Sequence, residues 1–173
     1  MRMNVEELKE LLSLVPHPRE GGCYVRTYES GEMLPPTAFV PGRYSASRHT
    51  GTAIYYLLEP GSFSEMHRLR SDEVFHFYAG DAVEMLQLHE QGTGKVLRIG
   101  NDFAAGERPQ VVVPRGVWQG SRLVPGGAWA LLGCTVSPGF EFEDYEAGVR
   151  AELCELWPEF ASLIRELTRD ATS

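Results

Sequence analysis

Between Gly61 and Gly80 the sequence "GSFSEMHRLRSDEVFHFYAG" gathers histidines and acids within two β-prone runs. In a strand, alternate side chains share a face, so Phe63, Glu65, His67 and Leu69 point one way and Ser64, Met66 and Arg68 the other. If Arg70-Ser71-Asp72 is a tight connection, then Glu73, Phe75 and Phe77 share one face of the next strand, opposite Val74, His76 and Tyr78. His67 and Glu73 then meet across a hairpin. An imidazole beside a carboxyl in the apolar surround of Phe75, Phe77 and Trp118 is a pair whose pKa values would shift, which suits proton transfer. The competing reading is a buried His–Glu hydrogen bond that only ties two strands together.

Other residues offer chemistry too. Trp118-Gln119 could present a stacking face and an amide to a polar ring, or Trp118 could plug the interior. Arg48, in "SASRHTGTAIYY", suits a carboxylate or phosphate at the mouth of a barrel, and equally a surface or interface ion pair. Parity turns His76 away from Glu73 unless a bulge intervenes, which favours a histidine hydrogen-bonded outside the barrel. The acidic run Glu141–Glu146 alternates with aromatics, as an edge strand with its charges in water would. Cys23 has no visible activator and is expected to be structural.

These residues need a scaffold. Asn4 and Glu7 form a capping-box pattern, and Val5, Leu8, Leu12 and Val15 continue at helical spacing until Pro16 and Pro18, predicting an amphipathic helix within residues 1–20. From 21 to 142 short β-prone runs alternate with turn residues: Cys23–Tyr28, Ala53–Leu58, Phe63–Leu69, Glu73–Tyr78, Val83–Leu88, Val96–Ile99, Gln110–Val113 and Ala128–Val136. About eight strands suit a jelly roll. Over 143–173 the apolar spacing becomes helical again, with Pro158 predicted to split the segment and "TRDATS" to fray. A single domain is expected from 173 residues.

Sixteen basic against 24 acidic residues give a net charge of -8, which argues against a nucleic-acid partner. Three scattered cysteines argue against a disulfide framework and for a reducing, cytoplasmic setting. The sequence shows neither a signal peptide nor an apolar run of membrane-spanning length, so no membrane association is expected.

Gly61, His67, Leu69, Glu73 and Gly80 stand in the register of the first motif of the cupin superfamily, in which Leu69 replaces a histidine. Gly106, Pro114, Gly116 and Gln119 resemble the second motif, with Gln119 in place of another histidine. "SDEVFHFYAGD", "VVVPRGVWQG" and "GCTVSPGFEFEDYE" resemble an uncharacterised single-domain branch of that superfamily. The resemblance implies a mainly β fold, a double-stranded β-helix (jelly roll) barrel with an N-terminal helix and C-terminal helices packed outside, and a homodimer. It also implies a site inside the barrel, where many cupins hold a divalent metal. Here a metal could use only His67, Glu73 and Gln119, an incomplete set that implies no cofactor or a weakly held ion. Deoxysugar epimerases with this fold work without metal, through a histidine base and a tyrosine acid, a part Tyr55, Tyr56 or Tyr78 could play. The expected ligand is therefore a small polar molecule, a sugar, sugar nucleotide or organic acid, held by His67, Glu73 and Gln119 with help from Arg48, Phe75, His76 and Trp118. The alternatives are a binding or sensor module without catalysis and a metal-dependent enzyme.

Overall fold

The protein is described here by a computed structural model covering residues 4–169. Helix α1 spans Val5–Leu12 and carries the expected capping box: the Glu7 backbone N–H donates to Asn4 Oδ1 at 2.9 Å, and the Asn4 N–H to the Glu7 carboxylate at 3.0 Å. Among the described residues thirteen strands follow: β1 Val15–Pro16, β2 Cys23–Glu29, β3 Met33–Leu34, β4 Arg48–His49, β5 Thr52–Leu58, β6 Phe63–Arg68, β7 Asp72–Gly80, β8 Val83–Leu88, β9 Gly94–Ile99, β10 Gln110–Val113, β11 Trp118–Leu123, β12 Ala130–Ser137 and β13 Glu146–Ala147. They form a six-stranded sheet in the order β1-β2-β5-β12-β7-β10, a five-stranded sheet in the order β13-β6-β11-β8-β9, and the small pair β3-β4. The two larger sheets enclose the barrel of a jelly roll.

The interior is layered. Tyr56, Leu58, Phe75, Val83, Met85, Ile99, Val111 and Leu132 fill one part with hydrocarbon and aromatic rings. His67, Glu73 and Cys134 face a cavity in the other. Outside, Leu8 and Leu14 cover Cys23, Leu57 and Leu131 of the six-stranded sheet. The five-stranded sheet buries Met66, Leu86 and Leu88 under Leu153, Trp157, Ile164 and Leu167. These last come from α2 (Arg150–Leu156), α3 (Ala161–Glu166) and their flanks, and a single 3-10 turn at Pro158–Phe160 separates the helices as the proline predicts. Thr168 and Arg169 do not fray: the Thr168 hydroxyl donates to the Ile164 carbonyl at 2.7 Å, and Arg169 to the Arg19 carbonyl at 2.8 Å. The rest of the "TRDATS" expectation lies outside the described residues.

Three local expectations change. First, β6 and β7 are not a hairpin but lie in opposite sheets, so Leu69–Ser71 turns a corner, and His67 and Glu73 look at one cavity from two walls. Second, β6 does not alternate cleanly. Gln119 pairs with His67 but Ser121 with Ser64, leaving Glu65 and Met66 opposite Gly120 alone. This bulge sends Ser64 inward with His67 while Met66 packs outside. Third, the acidic run is not one edge strand. It forms a 3-10 turn at Phe142–Asp144, which buries Asp144, before β13 pairs with β6.

Glycine is required at Gly80, which ends the first motif. Its φ is +104°, and a Cβ there would lie 2.3 Å from the Trp129 carbonyl oxygen. Both the conformation and the space exclude a side chain, so Gly80→Ala is expected to destabilise the fold by roughly 1–3 kcal/mol in denaturant unfolding. A change below about 0.5 kcal/mol would count against this account of the corner.

Candidate functional site

The cavity has a volume of about 310 Å³, and its wall includes His17, Glu20, His67, Leu69, Glu73 and Cys134. Near the end of β6, the buried His67 sets its Nδ1 2.6 Å from the Glu65 carbonyl oxygen. A carbonyl only accepts, so Nδ1 carries a proton, and in the neutral ring Nε2 is the nitrogen that offers its lone pair. Nε2 makes no hydrogen bond among the described residues. The ring stacks on Tyr145, with centroids 4.8 Å apart and planes 18° from parallel.

Glu73 enters from β7, also buried, and accepts a hydrogen bond of 2.6 Å from Gln119 Nε2. Its carboxyl is pushed up to about 7, first by burial and then by the charge of Glu20, against the pull of His67 and Gln119. Between the ordinary value near 4.5 and about 7, the folded chain binds more protons than the unfolded one. Stability therefore falls as pH rises through that window, by on the order of 3 kcal/mol in all. Glu73→Gln should flatten that part of the stability–pH curve and leave the variant the more stable form above pH 7. An unchanged slope would contradict the assignment.

The third wall is the turn after α1. His17 Nδ1 accepts the Glu20 backbone N–H at 2.8 Å, and its Nε2 lies 3.9 Å from the Glu20 carboxylate, which also accepts from the Ser64 hydroxyl. Burial holds His17 below its ordinary value, so it stays neutral at neutral pH. The turn presses closely on β6 because Gly21 has φ +102° and no Cβ, which would sit 2.3 Å from the Phe63 carbonyl oxygen.

Of the residues singled out in the sequence, His67, Glu73 and Gln119 come together. Phe75 lies in the apolar layer rather than at the cavity. Trp118 is outside the barrel with the Arg68 guanidinium over its ring at 4.5 Å, among the residues that meet the C-terminal helices. Arg48 is not a ligand group at a mouth: it is buried against Asp144, at 2.8 and 2.9 Å, and also bonds Glu143 and the carbonyls of Ala46 and Ser47. His76 points away from the cavity and meets the Thr135 hydroxyl at 3.1 Å, as its parity predicts. Tyr55 and Tyr78 contact each other on the outer face. Tyr56 turns inward, but its hydroxyl is spent on the Gly21 carbonyl at 2.9 Å. The tyrosine beside His67 is Tyr145, hidden in the acidic run. His17 and Glu20 were also missed, although an imidazole and a carboxylate within "PHPREGG" are a signal that this turn does more than end a helix.

The cupin ligand positions do not fit a metal centre here. Leu69 offers hydrocarbon, Gln119 turns its N–H rather than its carbonyl to Glu73, and only His67 and Glu73 remain as donors. Among the described residues, the one trio of metal-ligand atoms within 4.8 Å of one another is Glu29, His49 and Glu141, and Glu29 there is bound by Arg26. Cys23, Cys134 and Cys154 are all free thiols, and no described helix is long and apolar enough to cross a membrane.

Comparison with known proteins gives a consistent result. The family described as "Cupin superfamily (DUF985)" matches residues 6–148. The uncharacterized protein YML079W of Saccharomyces cerevisiae is 30% identical over 149 residues, which cover 82% of this chain and 74% of that one. Among solved structures, protein SO0799 of Shewanella oneidensis superposes with a TM-score of 0.85 at 34% identity, covering 98% of this chain and 100% of the other. A hypothetical protein from Leishmania major gives 0.85 at 31%, covering 97% and 100%. Oxalate decarboxylase from Bacillus subtilis and L-ribose isomerase from Acinetobacter share only the fold, each at 13% identity and a TM-score of 0.52; they cover 90% and 70% of this chain and 38% and 61% of their own.

Proposed function

The chain belongs to the cupin superfamily, in its DUF985 family, and from that premise we propose that its barrel binds a small polar molecule and moves a proton on it, as an isomerase or epimerase does. One observation carries the reading. His67 Nε2 is unpartnered, and Glu73, which can hold a proton at neutral pH, faces it from the opposite wall of one cavity. In this reading Nε2 takes the proton from a carbon next to a carbonyl. The C–H electron pair becomes the C=C bond of an enediol as the Glu73 carboxyl gives its proton to the carbonyl oxygen. Return of the His67 proton to the former carbonyl carbon, while the hydroxyl on the carbon that lost its C–H passes its own proton back to Glu73 and becomes the new carbonyl, completes an isomerisation and restores both groups. The Tyr145 ring backs the imidazole, and the apolar layer around Phe75 closes the barrel behind the pair. The working unit is proposed to be a homodimer, which sedimentation would test.

The test is solvent exchange. With aldoses and ketoses in D₂O, the C–H next to the carbonyl should be replaced by deuterium, followed by proton NMR, at a rate the protein raises above buffer. Sugars that bind without any exchange would leave a binding module instead of an enzyme.

A further inference from the structure

We infer that the ligand is an uncharged, hydroxyl-rich molecule of monosaccharide size, and that Glu20 acts with Glu73 to exclude anions. The inference rests on reading the cavity as a ligand site and narrows what enters it. The acids in the cavity wall are Glu20, Glu73 and Glu141, and its single guanidinium is that of Arg26. Arg26 is already engaged, by the Glu29 carboxylate and, at 3.0 Å, by the Phe140 carbonyl. His17 is kept neutral by burial, so it adds no compensating charge. A phosphate or carboxylate brought inside would meet carboxylates with no unengaged guanidinium or ammonium, in a setting where like charges are poorly screened.

Hydrogen-bonding capacity points the same way. The polar groups that face the cavity include the carboxylates of Glu20 and Glu141, the Glu73 carboxyl and the unengaged His67 Nε2. Acceptors dominate that set, and the fitting complement is a molecule that brings O–H donors. A volume of about 310 Å³ is at the small end for ligand pockets, which suits one sugar ring and not a nucleotide-linked one.

Titration calorimetry at about pH 8, above the value near 7 so that Glu73 is ionised, with aldopentoses and aldohexoses, their terminal phosphates and their aldonates tests this. The neutral sugars should bind, with phosphates and aldonates at least tenfold weaker, and Glu20→Gln should narrow that gap to threefold or less. Glu73→Gln gives the same readout should Glu20→Gln lose its fold by thermal melting. An anion that binds the native chain as tightly as its neutral parent would overturn the inference, as would a gap that both variants leave intact. If no sugar of any charge binds, the inference falls together with the site. Neutral sugars that bind selectively but exchange no deuterium would sink the catalytic reading and leave this one standing.

Discussion

His67→Asn should lower solvent exchange by about 10²–10⁴-fold while leaving ligand affinity within a few-fold of the native value. Asparagine can still present an amide N–H to the Glu65 carbonyl, so the bulged strand keeps the hydrogen bond that now orients the imidazole. What it lacks is a basic nitrogen in place of Nε2. The loss should therefore fall on kcat more than on KM, since an interaction with the moving proton exists only in the transition state. Glu73→Gln should give a loss of similar order for the complementary reason: the amide can accept from Gln119 but cannot deliver a proton to a carbonyl oxygen. Native-like exchange rates in both variants would remove the dyad from the mechanism.

The second large effect is on stability. Arg48→Met leaves the Asp144 carboxylate, whose side chain is 3% exposed, without the guanidinium that binds it through two hydrogen bonds of 2.8 and 2.9 Å. Breaking a buried pair from one side costs about 3–5 kcal/mol, whereas replacing both partners by apolar groups is often close to neutral. Arg48→Met is thus expected to lower the Tm by on the order of 10 °C, at roughly 2–4 °C per kcal/mol for a chain of this size. Arg48→Met combined with Asp144→Leu should recover much of that loss. The pair also fixes the segment that carries Tyr145 against His67 and pairs Ala147 with His67 on β6. The single variant should therefore lose ligand affinity as well as stability. A fall of less than 2 °C, or a double variant no better than the single, would show that the pair does not anchor this segment.

Much of the architecture was legible because the barrel is built from β-branched and aliphatic runs between turn residues. Val83–Leu88 and Gln110–Val113 occur with the predicted bounds. Strand β11, Trp118–Leu123, was not found, and the reason is the site itself: its inward positions carry Gln119 and Ser121, so the alternation that marks a half-buried strand is absent where polar groups face a cavity. The partnership of His67 and Glu73 was predicted through a hairpin that does not exist. It survives because the corner at Leu69–Ser71 turns both side chains into the same interior. Arg48 shows the converse, since an arginine before a strand carries no local sign that its partner is Asp144, 96 residues on. His17, Glu20 and Tyr145 reach the site from segments remote in sequence, and only the closing of the barrel brings them to it.

The mechanism requires Glu73 to hold a proton at neutral pH in front of a His67 Nε2 that no other side chain engages. The most direct measurement is a carbon-13 NMR titration of the glutamate side-chain carboxyls, with Glu73 assigned by its absence in Glu73→Gln. The account predicts a midpoint for Glu73 near 7, well above the ordinary value near 4.5. A midpoint at or below 4.5 would contradict it, because the dyad would then hold no proton to give.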